Sequence, residues 1–262
     1  MFNITDLKNN FTTRRSVISV LVFVFVWQLL GTFKVVNTTF IGQPILILKE
    51  GFALLSGQMI YPYILSSLQA LSLGFILAIL ISVPAGILLG VQRNIFDYFK
   101  PYLYALNSIP KIVILPLILL WFGIGLVPKI IFIVVVASIP ILINTIEGIK
   151  NVDKGLVEMA ESYQVSPWLL YRELYFFSAW PFIYSGIKIA FGRSVTNLLI
   201  AEIYGLGIGL GYLVSLYGGT YQINKLLFII ALLLIFNFTF LVIFDILETR
   251  LFRDRRFPNV DK

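Results

Sequence analysis

The sequence predicts an all-α, polytopic helical membrane protein with about six transmembrane helices, and three observations carry that prediction. Of 262 residues, 59% are hydrophobic and only 13% charged, against roughly 45–50% and about 25% in an ordinary soluble chain. Charge-free runs extend over Ser16–Phe33, Gly51–Gln92, Ile112–Pro128, Ile130–Ile146, Ile203–Asn224 and Leu226–Phe244, and a helix needs about 20 mainly apolar residues to cross the hydrocarbon. The alternating segments of about 10 residues that mark an outer-membrane barrel are absent.

In chain order, crossings are expected near 16–35, 65–90, 101–124, 129–149, 178–203 and 225–247, with Ile41–Tyr61 as a partly embedded or interfacial connection. The first run reads as a retained span, because no small-x-small cleavage site follows it. Six crossings put both termini on one side, and basic residues choose the cytoplasm. Lys8, Arg14 and Arg15 precede the first crossing, Arg93 and Lys100 follow the second, and Lys150, Lys154 and Arg172 follow the fourth; Arg250, Arg253, Arg255 and Arg256 end the chain. The opposite side holds only Lys34, Lys49, Lys129 and Lys225, all near crossing ends. These membrane-edge residues account for the net charge of +7, since anionic lipid attracts them. A nucleic-acid partner would need basic residues interleaved with aromatics on a soluble face, so none is expected.

The missing residue types narrow the chemistry. Without Cys or His, a thiolate nucleophile, a Cys/His zinc site and an imidazole base are excluded. No Gly-x4-Gly-Lys-Ser/Thr loop occurs, so the chain is not a P-loop ATPase. Gly205, Gly207, Gly209 and Gly211 do not fit a dinucleotide fingerprint. They read as irregular backbone on the outer side, tolerated at membrane depth only where protein or a water-filled cavity covers it. The clustered acids, bases or metal ligands of a membrane enzyme do not occur, and no internal inverted repeat suggests a free-standing secondary transporter.

The polar break between the fourth and fifth crossings, Lys150 to Trp168, is cytoplasmic in this topology. Asp153 can cap a short helix whose Leu156, Val157, Ala160 and Tyr163 recur at the spacing of one face, while Glu158 and Glu161 point elsewhere. Ser166 followed by Pro167 starts a second short helix carrying Trp168, Leu169 and Tyr171 toward the next crossing. The pair, joined at Gln164–Ser166, makes a compact knob. On local pattern alone, a membrane-surface helix pair that merely connects two spans fits equally well.

The run Glu158-Met-Ala-Glu-Ser-Tyr-Gln-Val-Ser-Pro-Trp168 resembles the Glu-Ala-Ala-x-x-x-Gly coupling loop of ABC importer permeases. The stretches Ile109–Gly125, Ile139–Gly148, Ser185–Arg193, Ala201–Tyr204 and Gly209–Leu213 resemble, in order, the nitrate/sulfonate/taurine-type branch of that superfamily, over roughly Leu65 to Arg250. The resemblance implies an importer-type (type I) ABC permease fold in a prokaryotic plasma (inner) membrane, embedded in membrane lipid. It also implies a second permease subunit, either an identical copy or a sister, and an extracytoplasmic substrate-binding protein. Two separate ABC ATPase subunits would carry the ATP and Mg, with no cofactor bound by this chain. Asp153, Leu156, Val157, Glu158, Ala160, Tyr163, Gln164, Ser166 and Trp168 then form the ATPase-coupling loop. The domains expected are 1–64 (cytoplasmic segment, first helix and outer connection), 65–250 (core permease, coupling helix at 153–168) and 251–262 (basic cytoplasmic tail).

The coupling loop departs from the family pattern. Gln164 stands where the glycine is usual, Met159 where alanine is, and Phe177 where a proline is expected, with Pro181 nearby. If that glycine is left-handed, Gln164 costs about 1 kcal/mol there. A differently shaped loop, a sister permease with the fuller motif and an unusual ATPase partner are the readings left open.

Lys111, Lys188, Arg193 and Glu202 fall within apolar stretches, where each would cost about 2.5–3.5 kcal/mol on a lipid-facing helix centre. They should face protein or water. At 100° per residue, Arg193 and Glu202 lie about 180° apart, while Thr196 and Asn197 share Arg193's side. Arg193, Thr196 and Asn197 are therefore expected to face the translocation path, and Glu202 to pair with another helix or take part in an outer gate. Lys111, between Pro110 and Pro116, either guides an anion or seals a kink. Gly186, Ala190 and Ser194 recur every four residues, the spacing of close helix packing. Three basic groups against one acidic group favour an anionic cargo of the sulfonate/taurine, nitrate or bicarbonate class; a thiamine precursor or related heterocycle is the alternative.

Overall fold

A computed structural model describes residues 10–205 and 207–252; Lys8 and residues 253–262 of the expected basic tail, including Arg253, Arg255 and Arg256, lie outside the described residues. Every regular element among the described residues is helical. The chain runs through α1 (Asn10–Thr32), α2 (Thr38–Ile41), α3 (Pro44–Ser56), α4 (Tyr61–Val91), α5 (Arg93–Ser108), a 3-10 turn (Lys111–Ile114), α6 (Leu115–Phe122) and α7 (Leu126–Lys150). It continues through α8 (Lys154–Ser162), α9 (Pro167–Leu169), a π turn (Leu170–Tyr175), α10 (Phe176–Ile203), α11 (Leu210–Gly219) and α12 (Ile223–Phe252).

α4, α7 and α12 are each long and apolar enough to cross a membrane. α10, with 28 residues, is about 42 Å long and carries Lys188, Arg193 and Glu202, which dilute its apolar character. The third crossing expected over 101–124, with Pro110 and Pro116 as its break, is sharply bent. Its two halves, Asn94–Ser108 and Lys111–Phe122, meet at 94°. Pro110 supplies no N–H and biases Ile109 to extended backbone, and Ile109 has ψ 129. The expected interfacial connection holds α2 and α3. Gly51 of α3 lies where a Cβ would stand 2.0 Å from the Phe228 ring of α12.

The core is α4 against α7 against α10. Along α4, Gly74, Gly86 and Gly90 receive Ile133, Thr145 and Ile149 of α7; a Cβ on each glycine would approach the Cβ of its neighbour to 2.7, 2.6 and 2.6 Å. β-branched side chains on one helix thus nest into the missing side chains of the other. Gly186 of α10 does the same for Asn144 of α7, at 2.7 Å, and Ala190 and Ser194 of that small-residue stripe are fully buried. One group of aromatic rings is packed inside the bundle. Phe191, buried on α10, stacks on Phe240 at 4.5 Å and meets Phe75 edge-on at 5.4 Å, which ties α12 and α4 to α10. The opposite side of α12, with Leu234, Ile235 and Phe238, is exposed, as a lipid-facing surface requires.

Candidate functional site

Two regions carry functional side chains, at opposite ends of α7 and α10. The first is the knob between those helices. Asp153, in extended backbone, accepts the Gly155 N–H at 2.7 Å and starts α8. At the other end, the Gln164 N–H donates to the Glu161 carbonyl at 2.9 Å and the Val165 N–H to the Ala160 carbonyl at 3.0 Å. This is a Schellman closure, and Gln164 occupies its left-handed position with φ 52. The chain therefore keeps the turn that a glycine would favour and carries the strain of a side chain there. Ser166 accepts the Leu169 N–H at 3.4 Å, with Pro167 opening α9. The π turn then feeds directly into α10, so the second short helix is continuous with the next long one.

The expected single apolar face of α8 splits in two. Val157 and Ala160 are half-buried, and Val157 lines a cavity of about 240 Å³ with Gly90, Ile149, Lys150, Glu158 and Tyr175. Burial, with Glu161 and Tyr171 acting at longer range, pushes the Tyr175 phenol above its usual range. Leu156, Met159, Tyr163 and Trp168 face outward, with Tyr163 79% and Trp168 73% exposed. Asp153, Glu158, Gln164 and Ser166 are also exposed. The knob thus turns one side toward a cavity bordered by the ends of α4 and α7 and presents aromatic and aliphatic side chains on another.

The second region is the set of charges at depth. Lys111 donates to the carbonyls of Leu106, Asn107 and Ile109, the orphan acceptors at the end of α5. It seals the kink. Lys188 pairs with Asp245 and, at 3.3 Å, with Glu248 of α12. Glu202 is fully buried and pairs at 3.1 Å with Lys129 of α7, itself 1% exposed. Ser67 of α4 donates to both carboxylate oxygens at 2.8 and 2.9 Å, and the Gly211 N–H to Oε2 at 2.9 Å. Removing one member of such a pair leaves an uncompensated buried charge, at about 3–5 kcal/mol. Arg193, Thr196 and Asn197 share one side of α10. Thr196 bonds back to the Gly192 carbonyl at 3.1 Å, and Asn197 to that of Arg193 at 2.9 Å. Arg193 is exposed and has no carboxylate partner among the described residues.

These pairings correct the tally of three cations against one acid. Lys129, Asp245 and Glu248 take part, and all three lie near helix ends, where sequence reading treats charge as solvated. Glu202 and Arg193, expected on opposite sides of α10, are on opposite sides, and the first is locked while the second is open. Among the described residues no cluster of acidic side chains could hold a metal ion.

The chain matches the family described as binding-protein-dependent transport system inner membrane component over residues 82–253. It belongs to that family. The permease is 31% identical over 205 residues to a Bacillus subtilis protein named as the aliphatic sulfonates transport permease SsuC, covering 78% of this chain and 74% of the relative. It is 28% identical over 236 residues to the riboflavin transport system permease protein RibX of Chloroflexus aurantiacus, covering 90% and 88%. A solved structure of the MetNI methionine ABC transporter, in inward-facing conformations, shares the fold with a TM-score of 0.63 at 21% identity, over 75% of this chain and 97% of that one. The protein is a multi-pass inner-membrane permease subunit of an ABC importer. It is a transport component and not an enzyme.

Proposed function

We propose that this permease forms half of a path for a small anion and is driven through its α8–α9 knob by separate ATPase subunits that bind ATP and Mg. The observation that carries this reading is the knob's construction. A capped helix, α8, faces the ends of α4 and α7 across a cavity and is joined by a hydrogen-bonded turn to α9, which runs on into α10; its exposed side offers Tyr163, Trp168, Leu156 and Met159. Aromatic and methionine side chains are the types enriched at protein interfaces. Movement of whatever grips that side would be relayed as a rigid displacement of α10. ATP must bind the two permease conformers unequally for the coupling to do work.

In this reading the knob and both termini are cytoplasmic, a second permease copy or a sister subunit completes the path, and a soluble binding protein delivers the cargo outside. Arg193, Thr196 and Asn197 face the path, and Arg193 is a cation at depth with no acid partner among the described residues, whereas Lys111, also without an acid, is taken up by carbonyls. A guanidinium fits the oxygens of a sulfonate, nitrate or bicarbonate in a bidentate manner. The relative named for aliphatic sulfonates supports that class. The relative named for riboflavin supports the second reading, a heterocycle stacked beside the same arginine. Co-purification with the ATPase, followed by vesicle uptake with receptors loaded with sulfonate, nitrate, riboflavin or thiamine precursor, tests both. ATP-dependent uptake of none of them, by an intact complex, would contradict the reading.

A further inference from the structure

The far end of α7 and α10, opposite the knob, is closed by the segment that leads into α11, whose Leu210 and Leu213 pack with Leu54, Ile60 and Ile229. Residues after α10 reach α11 through Gly205 and Gly207, at φ +106 and +95, backbone that glycine adopts without strain. Among the described residues, the polar links from this segment to α4 and α7 run through a few side chains. Lys129 and Ser66 donate to the Ile208 carbonyl. Ser67 accepts the Leu210 N–H at 2.9 Å, and Glu202 of α10 accepts the Gly211 N–H at 2.9 Å. Lys129 also donates to Ser66 Oγ at 2.8 Å, which makes the fastening one connected network.

The backbone there is shaped to lie on the carboxylate. A Cβ on Gly209 would stand 2.0 Å from Glu202 Oε1, and one on Gly211 2.3 Å from the Leu199 carbonyl. The same residues line two cavities. Lys129, Ser66 and Ile208, with Gln69 and Gly125, border one of about 400 Å³. Ser67 and Leu210, with Leu71, Leu198 and Phe236, border an apolar one of about 120 Å³. The network therefore borders two spaces, one reached by Lys129, Ser66 and Gln69 and the other wholly apolar apart from Ser67.

A buried ion pair adds little net stability over a well-packed apolar substitute, so its value here lies elsewhere. It has one good geometry when dry, and both of its charges are well solvated once water enters. Closed and open forms can then lie close in free energy.

We propose that Lys129 and Glu202 are the two halves of a latch that holds residues 207–211 and the start of α11 over the far end of the bundle, and that this latch opens in each transport cycle. The claim rests on the importer reading for its role in transport, but not for its opening. The chain has no cysteine, so single thiols report without background. In the complex in native membranes, Leu213→Cys, buried on α11 beside Leu210, is labelled slowly by an impermeant maleimide in the otherwise native chain. With Lys129→Met alone, which leaves the buried Glu202 carboxylate without its cation, labelling accelerates at least tenfold, and adding Glu202→Gln slows it again, while complete labelling in denaturant shows that the protein is present. Unchanged labelling in Lys129→Met overturns the latch. A second measurement needs neither substitution: Ser66→Cys with Ile208→Cys, bridged by a short reducible cross-linker, abolishes uptake, and reductant restores it. Uptake at the unbridged rate through a bridged transporter overturns the proposal. Labelling needs no cargo or ATP hydrolysis, so failure of the importer reading would leave it legible.

Discussion

Gly86 of α4 and Thr145 of α7 are in such close contact that a Cβ on the glycine would stand 2.6 Å from the threonine Cβ, with the Leu142 carbonyl at 3.3 Å. Neither neighbour can withdraw, because Thr145 is fully buried and donates to the Ile141 carbonyl of its own helix at 2.8 Å. Gly86→Leu is therefore expected to destabilise the bundle by about 1–3 kcal/mol or more, as overpacking does. Thermal melts of the purified protein in detergent should show a lowered midpoint. Gly192→Ala, with open space around its Cβ, should leave the midpoint near wild type.

Gln164 should be improvable. Its left-handed backbone costs a side-chain-bearing residue about 1 kcal/mol, and glycine removes that cost. Gln164→Gly is expected to raise the thermal midpoint of the assembled complex, whereas Gln164→Val, β-branched in the same conformation, should lower it. Equal midpoints for all three would show that the turn is not held as described.

The Lys188 cluster predicts non-additivity. Lys188→Met leaves Asp245 and Glu248 facing each other without their cation, and Asp245→Asn removes one acid of the pair. The double variant should lose less stability than the sum of the two singles, with a coupling of about 0.5–3 kcal/mol. Side chains 25–29% exposed place the value toward the lower end, because water screens them. A double-variant cycle on thermal or chemical unfolding reads it directly.

Arg193 and Lys111 should separate by readout. Arg193→Gln is expected to reduce vesicle uptake at least tenfold with assembly intact, since the side chain supports no other described group. Lys111→Met exposes three carbonyl acceptors at the end of α5 and should instead reduce membrane yield, by the cost of unsatisfied backbone groups, about 1–3 kcal/mol each. Normal uptake by a normally assembled Arg193→Gln variant would remove Arg193 from the path.

Much of this molecule was legible because bilayer physics is written in composition and periodicity. Apolar length gave α4, α7 and α12, the Asp153 and Ser166-Pro167 signals gave the starts of α8 and α9, and the 100° rule put Arg193 and Glu202 on opposite sides of α10. The 94° bend in the third segment was not legible, since prolines mark where a helix can break but not the angle that packing imposes. The partner of Glu202 was not legible either. Lys129 is 73 residues away along the chain and sits at a helix end, where a lysine ordinarily reaches water. Nor does spacing reveal that Val157 turns inward while Tyr163 turns out, because the division depends on where α4 and α7 end.

The central claim is that a separate ATPase grips the outward side of the knob. Its most direct measurement is a photo-cross-linking residue at position 163, replacing Tyr163, in the actively transporting complex. The account predicts a cross-link to the ATPase subunit in high yield, reduced when the same probe replaces half-buried Val157. An active complex in which position 163 reacts only with lipid or solvent would contradict it.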